Sequence, residues 1–257
     1  MPGADDTPPG SSVVAHVSAL GVVVPIRARD DLCQPVLAAW RDALTDPRNG
    51  DGPTTAAVEA HGPDVESALH LLSPAVTTRA IDARAGELVM LHAAALADPA
   101  SGRTAALVAA SGTGKTTASI ALGRRFAYLS DETAAITADG VVLPYRKPLS
   151  IIDGSHLKRQ VAPSSLGLLA PDRECRLAAL LVIERDPDHE GEPVWEPLAT
   201  LDAIAAIAPQ SSYLPSMDRP LHRLAELIHL AGGAGRVRYA ESAALEPLLE
   251  QLLVDAP

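Results

Sequence analysis

The chain has 257 residues, 47% of them hydrophobic and only 3% aromatic, with a net charge of −11. That length allows one large domain or two small ones around a core of Ala, Leu, Val and Ile. The acidity argues against nonspecific binding to nucleic acid or an anionic membrane, and no apolar run is long enough to span a bilayer. Cys33 and Cys175 have no metal-ligand spacing. The start of the chain lacks the basic and apolar stretches of a signal peptide. Both features point to a reduced, cytoplasmic setting, and a homo-oligomer stays open.

Residues 1–12 are rich in Pro, Gly, Ser and Asp and read as a flexible tail. Valines from Val13 to Pro25 predict one strand, or two broken at Gly21. Leu32 to Leu44 reads as an amphipathic helix with Leu37, Trp40 and Leu44 inward. Asp46 to Pro53 is a loop, and Thr54 to His61 a strand. Val65 to Leu72 reads as a strand or short helix, and Ser73-Pro74 as the cap and first turn of a helix ending near Gly86.

From Glu87 onward the pattern is that of an α/β domain. Leu88–Ala97 and Thr104–Ala109 predict an antiparallel pair, and Thr116–Arg125 a helix. Short strands follow at 126–130, 133–136 and 141–143, and a longer one at Arg176–Ile183. Helices are expected near 198–208, 219–230 and 243–253, with a strand at 236–240. This gives a tail (1–12), an N-terminal α+β region (13–86) and a core with C-terminal helices (87–257).

Ala109-Ala110-Ser111-Gly112-Thr113-Gly114-Lys115-Thr116 is the most informative segment. It sits between a strand and a helix and ends in Gly-Lys-Thr, the arrangement of a P-loop. Ala109 stands where the usual pattern opens with Gly. Glycines let backbone N–H groups face a phosphate, and the helix N-terminus adds partial positive charge. Ser111, Gly112, Thr113, Gly114, Lys115, Thr116 and Thr117 are the expected nucleotide-binding residues. Lys115 would reach the β/γ-phosphates and Thr116 a Mg²⁺ ion. Asp131 and Glu132 end the strand after the P-loop helix, so a parallel sheet would bring them beside Lys115. Their spacing alone does not divide base from metal ligand. His92 lies on the strand before the P-loop strand, where a packed core histidine is an equal reading. Glu184 ends an apolar strand, and Lys158 and Arg159 follow His156 in a polar stretch that could close over the site or be a solvated loop. Arg236, Arg238, His222 and His229 read as surface or packing residues.

The order Leu91-His92-Ala93-Ala94, Ser111-Gly112-Thr113-Gly114-Lys115-Thr116-Thr117, then Tyr128-Leu129-Ser130-Asp131-Glu132 resembles the HPr serine kinase/phosphorylase superfamily and its small stand-alone relatives. Val142-Leu143-Pro144-Tyr145 and Lys147-Pro148-Leu149 add to the likeness, which covers about residues 74–183. The resemblance implies a P-loop mixed sheet of the HPr kinase/phosphoenolpyruvate carboxykinase-like type. It implies an ATP- and Mg²⁺-dependent kinase acting on a hydroxyl of a peptide, protein or small molecule, as in lasso-peptide tailoring. It makes Asp131 the general base, Lys115 the phosphate-binding lysine, His92 a supporting group, and Thr116 and Glu132 the metal residues. Glu132 stands where that family more often has a second Asp. A regulatory or chaperone-like ATPase with no phospho-acceptor is the alternative expectation.

Overall fold

The computed structural model describes residues 11–49, 52–152 and 158–254. The elements open with β1 (Ser12–Ala19), β2 (Val22–Ala28), α1 (Asp30–Trp40), β3 (Val58–Glu59) and α2 (Val65–Ala83). They continue with β4 (Val89–Ala97), β5 (Arg103–Val108), α3 (Lys115–Leu122), β6 (Ala127–Ser130), β7 (Thr133–Ile136), β8 (Val142–Leu143), β9 (Leu149–Ile151) and β10 (Arg159–Val161). The last are β11 (Arg176–Arg185), β12 (Val194–Leu198), α4 (Thr200–Ile207), β13 (Ser211–Ser212), α5 (Pro220–Leu230), β14 (Ala234–Tyr239) and α6 (Glu246–Leu253).

The chain divides into two compact units, one of residues up to Ala83 with Lys147–Ala162, the other of Arg84–Arg146 with residues from Pro163 onward. Residues 147–162, expected within the second region, therefore belong to the first unit. Residues 1–10 of the expected tail lie outside the described residues, while Ser12 already begins β1.

In the first unit, β1 and β2 form a hairpin closed at Leu20-Gly21, both at positive φ (52° and 74°). Such a turn matches the strand twist, which is why the valine run breaks there. The α1 helix is shorter than its sequence pattern and buries Leu32, Val36, Ala39 and Trp40; Leu44 lies beyond it, bridging Val17. The strand expected over Thr54–His61 shrinks to Val58–Glu59. The helix expected to start at Ser73-Pro74 starts instead at Val65, with the Asp64 carboxylate accepting the Ser67 N–H at 2.7 Å. Ala68, Leu72, Val76 and Ala80 are all buried. That four-residue stripe runs straight through Pro74, and its burial outweighs the backbone bond the proline removes.

The second unit is a mixed α/β fold. Nine strands among the described residues form one sheet in the order β12-β14-β11-β5-β4-β7-β8, with β6 and β13 also paired to β4. Strands β5, β11 and β14 are mutually parallel, while β4 runs antiparallel to β5, β6 and β7. Helices α4 and α5 cover the face bearing Ala106, Val108, Leu180 and Ala234. Strands β4 and β5 carry mostly small side chains and are almost wholly buried, so the glycine loop leaves β5 from the packed centre of the sheet. No helix among the described residues is long and apolar enough to cross a membrane.

Candidate active site

The loop between β5 and α3 turns at two glycines of positive φ, Gly112 at 84° and Gly114 at 96°. Other residues adopt that backbone at a cost of about 1 kcal/mol, so the tight return into α3 needs glycine. Thr113 Oγ1 donates to the Ala110 carbonyl at 3.0 Å. The Lys115 ammonium folds back over the loop and donates to the carbonyls of Ala109 and Ala110 at 2.8 and 2.9 Å. It is nearly buried, and desolvation holds its pKa down to about 8, against the opposing pull of Asp131 and Glu132.

Register, not direct parallel pairing, brings the carboxylates to this loop. Ala93 of β4 sits opposite Val108 of β5, and Ala95 opposite Ser130 of β6. Strands β5 and β6 thus run the same way with antiparallel β4 between them, and both end at one edge. There Thr116 Oγ1 donates to Asp131 Oδ2 at 2.7 Å. The other Asp131 oxygen accepts the Tyr128 hydroxyl at 2.9 Å. Tyr128 is fully buried; burial and the Asp131 charge push its pKa well up, so it stays a donor. Buried Arg146 donates to the carbonyls of Tyr128 and Leu169, both at 2.7 Å, with its guanidinium 5.6 Å from the Tyr128 ring centroid. Ser130 Oγ accepts the N–H groups of Glu132 and Thr133 at 3.2 and 3.1 Å and so shapes the turn carrying both acids.

His92 lies on β4 at the same edge, where its carbonyl accepts the Ala109 N–H at 3.3 Å. Burial and the Lys115 charge lower its imidazole pKa, with Glu132, Gln210 and Asp131 acting the other way. The ring is therefore neutral at neutral pH.

Lys115, Thr116, Asp131, Glu132 and His92 thus share one edge of the sheet, while Ser111 and Thr117 are exposed there. Glu184 is exposed on β11 opposite Arg238 of β14. Lys158 and Arg159 belong to the other unit, and His156 lies outside the described residues. Arg236, Arg238, His222 and His229 are exposed, as their sequence setting indicates. Sequence reasoning missed Tyr128, Arg146, Gln210, Arg185 and Tyr239. Tyr128 carried a signal: it is the polar-tipped residue of an apolar strand, three positions before the acid it holds. A Cβ placed on Gly114 would lie 3.8 Å from Arg185 Cδ and 4.0 Å from the Tyr239 hydroxyl, so these two wall the loop on its β11–β14 side.

Among the described residues no three His, Cys, Asp or Glu side chains gather as a metal cluster. A hydroxyl and a carboxylate at 2.7 Å nonetheless suit Mg²⁺, a hard cation usually held by one or two protein oxygens together with waters and phosphates.

No family model matches the chain, and no curated protein matches it. Among solved structures the chain is similar to the Hpr(Ser) kinase/phosphatase from Coxiella burnetii, at 14% identity and a TM-score of 0.35, over 63% of this chain and 92% of that one.

Proposed function

We propose that the chain is a Mg²⁺- and ATP-dependent phosphotransferase that phosphorylates a hydroxyl of a peptide, protein or small molecule. The observation that carries this reading is the 2.7 Å contact between Thr116, one residue past the loop lysine, and Asp131. In a P-loop reading of residues 109–116, the backbone N–H groups and Lys115 hold the β- and γ-phosphates, Lys115 leaving the Ala109 and Ala110 carbonyls to do so. Thr116 and Asp131 would hold Mg²⁺, which supplies charge neutralisation at the transferring phosphate. Tyr128 fixes the rotamer of Asp131 through its hydrogen bond.

This division reverses the roles that the family resemblance implies. Asp131 has both oxygens engaged and is buried; Glu132 is half-exposed and reaches toward Lys115 and His92 electrostatically. In this reading Glu132, the more exposed of the two acids, serves as the base. The acceptor oxygen forms a bond to the γ-phosphorus, the bond from that phosphorus to the bridging oxygen breaks, ADP leaves, and the hydroxyl proton passes to Glu132. Neutral His92 can donate a hydrogen bond to the moving phosphoryl oxygens.

The test is incubation with γ-labelled ATP and a panel of peptides, metabolites and oligonucleotides, read by mass. A phosphoryl group gained by a peptide or metabolite supports the proposal. Label on oligonucleotides alone, or as free phosphate across the whole panel, overturns it; the latter favours an ATPase.

A further inference from the structure

The β11–β14 flank of the glycine loop carries a cation that the roles above leave unused. Strand β11 pairs with β5 up to Val182 opposite Val108, so Arg185 lies past the last paired residue, alongside the loop. Its Cδ is 3.8 Å from where a Gly114 side chain would begin. Its guanidinium is tied by Nε to the Ala240 carbonyl at 3.0 Å and by its outer nitrogen to Glu241 at 3.4 Å. The Arg185 side chain is 43% exposed and the Glu241 side chain 79%, so this ion pair is a weak and exchangeable restraint. Buried Tyr239 forms the rest of the same wall, its hydroxyl beside Gly114 and close to Ser242.

We propose that Arg185 is a second phosphate-binding cation, turning from Glu241 to the terminal phosphates of a nucleotide held on the loop. The inference rests on the nucleotide reading above. A triphosphate brings more negative charge than Lys115 alone offsets, and Lys115 already faces two carboxylates. A guanidinium fork matches two phosphate oxygens at once, and Arg185 is the arginine of this flank that lies beside Gly114. Its Cδ already lies beside Gly114, so the charge it carries is close to the loop.

The experiment titrates fluorescent ATP and ADP analogues into the full chain, with no acceptor present. Arg185→Gln is expected to weaken the ATP analogue on the order of tenfold and the ADP analogue less. Arg185→Lys should recover part of that loss. Glu241→Gln removes the competitor for the guanidinium and should tighten ATP binding about twofold or more. A strut holding β11 to the residues after β14 would behave differently: both Gln variants would melt earlier with unchanged affinity. A folded Arg185→Gln protein that binds ATP like wild type overturns the proposal. If Arg185→Gln does not fold, Glu241→Gln decides: tighter binding supports the proposal, while unchanged or weaker binding overturns it. Wild-type protein that binds neither analogue removes the glycine-loop reading itself, and this inference with it.

Discussion

The two flanks of the glycine loop are built on opposite plans. On the β4–β6 side the groups around Asp131 are already fastened: Asp131 accepts from Thr116 and Tyr128, Arg146 bonds two carbonyls, and Ser130 closes the turn below Glu132. On the β11–β14 side the outer nitrogen of Arg185 shares a 3.4 Å contact with an exposed Glu241, and only its Nε is held, by the Ala240 carbonyl at 3.0 Å. The first flank is preorganised, so its groups need no costly reorientation when charge develops. In the role proposed for Arg185, the second would gain its best contacts only when a ligand arrives. A site that must grip one end of a ligand rigidly and admit the other would be arranged this way. Lys115 sits between the two flanks and belongs fully to neither.

The largest effect is expected from breaking the centre. Lys115→Ala should lower nucleotide turnover on the order of 10²-fold or more, because one positioned cation at transferring phosphates is worth several kcal/mol in the transition state. Circular dichroism should show an intact fold, since the side chain bonds only loop carbonyls. A folded variant with near-normal turnover would remove the loop from the chemistry.

Next comes the preorganised flank. Tyr128→Phe removes the donor to Asp131 Oδ1 while keeping the ring that Arg146 covers. It should cost about 1 kcal/mol of stability and slow turnover severalfold, with its largest effect at limiting Mg²⁺. Loss of stability with turnover unchanged at every Mg²⁺ concentration would show that Asp131 needs no orienting partner.

These contacts mark what was legible in the sequence and what was not. The loop, its lysine and the acid pair were readable because each depends on neighbours a few residues away: glycines at fixed places, a helix after a strand, two acids after an apolar run. Asp131 was reached by a partly mistaken route, since the intervening β4 is antiparallel. Arg185 and Tyr239 were not readable. They meet Gly114 only through the register of β11 and β14, strands more than sixty residues farther along the chain. Pro74 misled because its local preference for a first turn lost to a buried stripe spanning Ala68 to Ala80. Strand β12 went unseen because its pattern is largely exposed and broken by Pro197, as an edge strand permits.

A pH dependence sharpens the role of Lys115. Its pKa is held to about 8 by burial in the free protein, and bound phosphates would raise it again. Above pH 8 a proton must then be taken up on binding, so affinity falls as pH rises, approaching about tenfold per unit. Below that value the ammonium is already charged and the lysine adds no pH dependence. Nucleotide dissociation constants between pH 7 and 9.5 test this; a flat profile would mean that the Lys115 charge does not face the phosphates.

The central claim is that Lys115, Thr116 and Asp131 form one Mg²⁺-nucleotide site. It is tested most directly by titrating ATP into wild-type and Asp131→Asn protein, each with and without Mg²⁺. Wild type should bind ATP more tightly with Mg²⁺, and Asp131→Asn should keep Mg²⁺-free binding while losing most of the gain from the ion. Binding indifferent to Mg²⁺ in wild type, or an equal Mg²⁺ gain in both proteins, would contradict the account.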